Sequence, residues 1–348
     1  MKTRTSLSGN GGRCAAFITF LFSLVILTGA CSAPKKKPLY PRYLTPQSRL
    51  VAARKIYEKS QSRKVPRSRR ADWQLTSARL YLDSNQVQLA LPILARLAAD
   101  PKVPERTRAR ALWLTLRHNQ EGDSERYWEL VRKFPETVAA EDALWKVVEL
   151  SRARPGELVR RLLAFYGKHR TSFIATLVLM EAAKVAHGID SPEWKRYAVH
   201  LLSFLARRHP DSPRWDEALY KAAGWSRELG KTKEAIAFLH QLMKTRESSL
   251  FFGDYNSQWL DDSQLLLGDL YLERNMPKAA LKAWSDLPAK FPESRLRDRA
   301  WIRLMEHHAS HGRPRLACSA ARELVRKMPR SRFAPQAKKL LAGCTPKP

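Results

Sequence analysis

The sequence predicts an all-α protein, built as an α-solenoid of about seven helical hairpins with a C-terminal capping helix. Three observations support this prediction. Residues that favour helices dominate the composition, and glycine is scarce, at 14 of 348 residues. A short x-Pro-x-Ser/Thr motif recurs along the chain. The segment 79–85 returns in similar form at 269–275, which is 190 positions later. Self-similarity of this kind is typical of stacked helical units.

The first 31 residues are typical of an export signal and are set apart from the fold. A basic start precedes residues 14–30, an uncharged run that is shorter than the roughly 20 residues of a transmembrane helix. The run ends in small residues followed by Cys31, and this end resembles the lipobox of bacterial lipoproteins. The resemblance implies a lipid on Cys31, and Ser32 after it implies the outer membrane. The alternative is a cysteine that stands there incidentally.

Residues 32–70 form a strongly basic segment, predicted as a tether between the anchor and a repeat array at 71–348. They contain thirteen Lys and Arg but one acidic residue, Glu58. One amphipathic helix is expected within the tether, from Pro46 to Gln61. Basic residues beside an anionic membrane contribute about 1 kcal/mol each. The tether therefore either follows the membrane surface or acts as an ordinary solubilising linker.

The whole chain carries a formal net charge of +30, which would suggest nucleic acid as a partner in a cytosolic protein. Export argues against nucleic acid. The anions that remain are phospholipid head groups, lipopolysaccharide phosphates, wall carboxylates and acidic partner proteins. The alternative is that the positive charge has no specific partner and belongs to solvated, arginine-rich helix faces.

The recurring motif is expected to end one helix, turn the chain and cap the next helix. Proline ends one helix because it lacks an N–H group, and the hydroxyl accepts from the free N–H groups of the next. The four copies are 134–137, 209–212, 291–294 and 328–331. The prolines of the last two copies are 37 residues apart, close to the length of one helical hairpin.

Residues 261–294 resemble one tetratricopeptide repeat of 34 residues. Gly268 and Ala280 stand at the small positions of the pattern, where two helices approach closely, and Trp284 stands at a large one. The resemblance implies hairpins throughout the array, although residues 138–210 match the pattern weakly. Their predicted ranges are 72–101, 105–135, 138–170, 172–210, 213–247, 260–292 and 295–329, with a cap at 332–342. The style of the motif is similar to that of tetratricopeptide envelope lipoproteins, among them outer-membrane assembly factors and periplasmic cell-division coordinators.

Two cysteines, Cys318 and Cys344, follow the lipid cysteine. They would lie on the last hairpin and on its antiparallel cap, at heights that differ by roughly 6 Å at 1.5 Å per helical residue. Gly343 would let the chain fold back and close that difference. Either the two cysteines form a disulfide, as an oxidising compartment permits, or they are separate buried thiols.

Motifs for catalysis or for a cofactor are not found in the sequence. Residues 224–232 fail the spacing of a phosphate-binding loop and are expected to be a helix end and a turn. His307 and His311 share a helix face, which is expected to be a solvated helix end, not a metal site. The aromatic segment 248–259 is the sharpest candidate for partner binding, through Phe251, Phe252 and Tyr255. The alternative is that these rings fold into the core.

The sequence therefore predicts a non-catalytic scaffold without metal or cofactor. It would be anchored by lipid to the outer membrane, would face the periplasm, and would bind an envelope protein or peptide during cell-envelope assembly. Two alternatives stay open: an accessory or catalytic subunit of peptidoglycan metabolism, and a basic binder of anionic wall or lipopolysaccharide.

Overall fold

The computed structural model describes residues 45–119, 123–244 and 258–344, and the backbone of 248–249 and 253–254. These residues form sixteen α-helices and one pair of antiparallel two-residue strands. The helices are α1 (Pro46–Ser60), α2 (Arg67–Asp83), α3 (Val87–Ala99), α4 (Glu105–His118), α5 (Ser124–Lys133), α6 (Val138–Leu150), α7 (Pro155–Lys168), α8 (Ala175–His187), α9 (Pro192–Arg208), α10 (Trp215–Glu228), α11 (Thr232–Met243), α12 (Leu260–Glu273), α13 (Pro277–Lys290), α14 (Arg297–Ser310), α15 (Pro314–Lys327) and α16 (Ala334–Ala342). The strands are β1 (Ser248–Ser249) and β2 (Gly253–Asp254).

The helices form an α-solenoid, since helices that follow one another in the chain pack together along most of its length. Helices α6 and α7 are an exception within the described chain, because α6 packs on α4, α5 and α8 instead. Alanine and leucine fill the seams, and one continuous buried cluster runs from Ala53 in α1 to Ala222 in α10. Each unit thus buries its apolar face only against its neighbours.

The predicted count of seven hairpins is wrong, because the sixteen described helices make about eight. The helix outside the predicted array is α1, which lies in the segment predicted as a tether but packs on α2. Ala53 and Ile56 are buried in that contact, and the Ser77 hydroxyl donates to the Ala53 carbonyl at 2.8 Å. A helix was expected here, but the many cations around its narrow apolar strip favoured a tether over a place in the array. The compact unit accordingly begins at Pro46.

The x-Pro-x-Ser/Thr motif makes the predicted N-cap at Thr137, whereas its three serines precede the N-cap residues of their helices and bond within the turn before the helix. Thr137 accepts from the Ala140 N–H at 3.2 Å, and Ser212, Ser294 and Ser331 each accept from the N–H two residues later. Ser294 also donates to the Asp261 carboxylate at 2.6 Å, and Ser331 donates to Asp298 at the same distance. Ser294 and Ser331 therefore hold the turn before their helix and bond to the preceding repeat, which couples adjacent units.

We expect Ser294→Ala to lower the free energy of unfolding by about 1–2 kcal/mol, the usual cost of losing two hydrogen bonds. The change removes the acceptor for the Leu296 N–H and also the donor to Asp261. Urea unfolding of the purified chain measures the effect. Ser285→Ala is the matched control, because that exposed hydroxyl bonds only to a carbonyl of its own helix. Equal losses of unfolding free energy in the two variants would contradict the role of Ser294 in this turn.

The two similar segments, 79–85 and 269–275, end in the same kind of turn. Asn85 and Asn275 are the described non-glycine residues with left-handed backbone, at φ of 58° and 55°. In each turn the next residue donates its N–H to a tyrosine carbonyl five residues back, at 2.8 Å after Asn85 and 2.9 Å after Asn275. This is a common way to end a helix. The described turns after α6 and α8 hold no left-handed residue, which explains why residues 138–210 match the repeat pattern weakly.

Candidate partner-binding groove

Three first helices of successive hairpins, α10, α12 and α14, line a groove of about 550 Å³. We call this surface the first-helix groove. It is lined by Arg227, Asp269, Leu272, Glu273, Trp284, Arg303, Glu306, His307, Ser310 and His311. Its volume lies in the range of pockets that bind a small molecule or a few side chains of a peptide.

Ion pairs along the groove connect neighbouring first helices. Arg227 of α10 donates to Glu273 of α12 at 2.7 Å, and Arg303 of α14 donates to Asp269 of α12 at 3.1 Å. Both pairs are partly exposed, so each adds little to stability by itself. Their charged side chains instead give the groove hydrogen-bond donors and acceptors for a charged ligand.

The inner wall of the groove is aromatic. His307 is only 7% exposed, and its ring stacks on His311 with the ring centroids 4.1 Å apart. Trp284 contacts His307 edge to face at 6.4 Å. Burial lowers the pKa of His307, and the neighbouring His311 lowers it further. Both effects favour the neutral imidazole, and the buried rings of His307 and Trp284 form a packed wall of the groove.

The expectation of a solvated helix end at the histidines is wrong for His307. The helix places it toward Trp284 of the preceding hairpin, and a long-range contact of that kind leaves no mark in the local sequence. His311 Nδ1 donates to the His307 carbonyl at 2.8 Å, which closes the helix end. Within the described part of the chain, no three potential ligands are placed to hold a metal ion.

A second polar cluster lies on α8, nearer the middle of the array. Glu181 is 3% exposed and pairs with Lys184 at 3.0 Å. Lys184 also reaches Glu217 of α10 at 3.5 Å and lies 5.5 Å from the centre of the Trp145 ring. Burial raises the pKa of Glu181, and Lys184 lowers it only in part. Burial and Lys184 therefore act in opposite directions on this carboxyl, and burial has the larger effect.

We expect Glu181→Gln to flatten the pH dependence of stability. The folded chain binds the Glu181 proton more tightly than the unfolded chain does. This carboxyl therefore lowers stability as the pH rises above about 4.3, the usual glutamate value. Glutamine does not titrate, so the decline in the free energy of unfolding, measured with urea from pH 4 to 8, should be smaller in this variant. Glu217→Gln is the control, and a decline in Glu181→Gln as large as that of the unchanged chain would contradict the argument.

The residues predicted from the sequence have different outcomes. Cys318 and Cys344 are joined by a disulfide, with Cα atoms 6.1 Å apart. Cys31 lies outside the described residues, and so do Phe251, Phe252 and Tyr255, the candidates for partner binding.

Trp259 is the described aromatic residue of the segment 248–259. Its ring stacks on Tyr220 at 4.8 Å, and it packs against a buried cluster that includes Trp215. Trp259 therefore lies at the start of α12 and packs on the core, and the core alternative for Phe251, Phe252 and Tyr255 stays untested.

Comparison with known proteins bears on the helices that line the groove. A family model of the tetratricopeptide repeat matches residues 217–248 and 262–294. These two segments are similar to the tetratricopeptide repeat. They hold most of α10 and α12, so two of the three first helices at the groove lie in segments that match the repeat.

Other comparisons add little. One solved structure with similarity is a "Circular tandem repeat protein with novel repeat topology and enhanced subunit contact surfaces". It is 15% identical, with 85% of this chain and 69% of that chain covered, and its TM-score of 0.12 supports no argument. No curated protein matches the chain. Among the described helices, none combines the length and apolar character needed to cross a membrane.

Proposed function

We propose that this chain is a lipid-anchored scaffold of the bacterial envelope, which binds a partner protein through the first-helix groove. The observation that carries the proposal is the position of the groove on recognised tetratricopeptide repeats. Tetratricopeptide repeats generally mediate binding between proteins, and repeat arrays present long surfaces for that purpose.

The lining of the groove favours a segment of protein as its ligand. Leu272 is 39% exposed and can contact an apolar side chain of a ligand, and the buried His307 and Trp284 support the wall of the groove. Arg227 and Arg303 lie on the same lining with acidic partners that a ligand carboxylate can replace. A peptide with an apolar residue beside charged ones has this combination of groups.

Two features support export and an anchor. Residues 14–30 and Cys31 have the pattern of a lipoprotein signal. The Cys318–Cys344 disulfide suits an oxidising compartment such as the periplasm. We place the chain at the outer membrane, facing the periplasm, because Ser32 follows the lipid cysteine. The anchor would hold the array close to its membrane clients.

Metabolic labelling with a palmitate analogue tests the anchor. We expect the full chain to carry the label and to sediment with membranes, and Cys31→Ala to lose the label. Cys14→Ala is the matched control, since it removes a thiol from the apolar run and leaves the lipobox intact. An unchanged label in Cys31→Ala would contradict lipidation at this residue.

A peptidoglycan digest distinguishes the scaffold from the enzymatic alternative. The purified full chain should release no muropeptides, and their release at an enzymatic rate would replace the scaffold proposal with a role in wall cleavage.

A further inference from the structure

A second cavity lies at the start of the array, between the α1–α2 turn and the end of α3. Its volume is about 330 Å³. Polar groups dominate the lining, and those that matter here are Gln61, Arg67, Arg70, Gln74, Arg96 and Asp100. The cavity is separate from the first-helix groove, and none of its lining residues belongs to that groove.

The charges in this cavity do not balance. Three guanidinium groups face one carboxylate, and Arg67 takes that carboxylate by donating to Asp100 at 2.7 Å. Arg96 donates to the neutral Tyr57 hydroxyl at 3.2 Å. The Nε of Arg70 is buried and has no hydrogen-bond partner within the described part of the chain. A buried donor without an acceptor is uncommon and costs free energy, and an acceptor of negative charge would remove that cost.

The start of α2 has the same imbalance. Arg67, Arg69 and Arg70 stand in its first turn, which holds no acidic residue. Pro66 precedes them and provides no side-chain cap in the described structure. A helix begins with free N–H groups and a partial positive charge, so cations there are unfavourable and anions are favoured. One bound anion would satisfy the helix end and the arginines together.

We propose that this cavity is a binding site for a phosphate group, held by Arg70 and Arg96. Guanidinium groups bind phosphate oxygens with two parallel hydrogen bonds, and the amide of Gln74 can donate to a remaining oxygen. The cavity is large enough for a phosphate with a small substituent. The phosphate comes either from a soluble phosphate compound or from the head group of an anionic phospholipid. The proposal does not depend on the lipid anchor or on the groove.

Calorimetric titration of the full chain in a neutral detergent tests the site. The ligands are inorganic phosphate, dihexanoylphosphatidylglycerol and, as the zwitterionic comparison, dihexanoylphosphatidylcholine, all at one low ionic strength. We expect saturable binding of phosphate or of the phosphatidylglycerol. Tighter binding of inorganic phosphate identifies a soluble source, and tighter binding of the phosphatidylglycerol than of both others identifies a head group. Absence of saturable binding by all three overturns the proposal.

Variants separate a built site from general attraction to a basic protein. Arg70→Gln and Arg96→Gln should each weaken binding about tenfold or more, as expected for hydrogen bonds to charged groups. Arg79→Gln is the matched control, because Arg79 is exposed on the same helix, α2, outside the cavity. Equal weakening by Arg79→Gln overturns the proposal.

The fold of the variants is checked without ligand. Arg70→Gln should keep or raise the thermal midpoint, because it removes a cation from the start of a helix. Arg70→Lys gives a second variant that retains the charge and loses the paired hydrogen bonds, and it should also bind phosphate more weakly. Wild-type affinity in both Arg70 variants would overturn the assignment of this residue.

Discussion

Replacing Gly268 by alanine should destabilise the array strongly, by about 3 kcal/mol, the upper part of the usual range for an overpacked core. An added Cβ at this position would lie closer than 3.0 Å to three atoms of the Trp284 indole. Trp284 is among the largest fully buried side chains, so its ring has no free space to move into. Helices α12 and α13 would have to separate, and the wall of the first-helix groove would change with them.

Urea unfolding measures this effect, and Gly224→Ala is the matched control. Gly224 also lies within a helix, α10, but an added Cβ there meets no atom within 4 Å. Alanine is the better helix former by about 1 kcal/mol, so the control should be neutral or stabilising. Pairing Gly268→Ala with Trp284→Phe, which shortens the ring system, should recover part of the loss. Similar free energies of unfolding for the two glycine variants would contradict the close approach of α12 and α13.

Loss of the Cys318–Cys344 disulfide should release the C-terminal helix. The two cysteines are 26 residues apart in sequence, and closing a loop of that size stabilises by about 3 kcal/mol. In a repeat array the effect is local, because each unit contacts only its neighbours. We therefore expect α16 to lose most of its protection and the distant α12 and α13 to keep theirs.

Hydrogen exchange of the full chain, with and without a reductant, measures this release. The double variant Cys318→Ala/Cys344→Ala should resemble the reduced protein and should no longer respond to the reductant. Unchanged protection of α16 after reduction would mean that packing on α15 alone holds the cap. A uniform loss of protection along the array would contradict the local role.

Features that rest on local chemistry could be predicted from the sequence. The Ser294 turn follows from a proline and a hydroxyl two residues apart in the motif, and Asn275 marks a turn because asparagine tolerates left-handed backbone. Gly268 and Trp284 could be assigned to one seam because the repeat pattern places a small residue opposite a large one. In each case the determining residues are close in sequence or fixed by the repeat.

Features that rest on contacts between repeats could not be predicted in this way. The burial of His307 depends on Trp284 in another hairpin, and the packing of α1 depends on the Ser77 face of α2. The arginine cavity joins residues from α1, α2 and α3, although the cations at the start of α2 were visible in the sequence. Cations at the start of a helix conflict with the helix dipole, and this conflict is one observation behind the proposed phosphate site. It could not be interpreted from the sequence, because the segment was predicted to be a tether.

A photo-crosslinking residue at Leu272 tests the central claim, that the first-helix groove binds a partner protein. The modified chain is produced in its native cell with Cys31 intact and is irradiated there. Leu316 is the matched control, because it is also an exposed leucine, 50% against 39%, but lies on the second helix α15. We predict one discrete protein adduct from Leu272, weakened by Arg227→Glu and absent from Leu316. Identical adducts from both positions, or none from Leu272, would contradict the account.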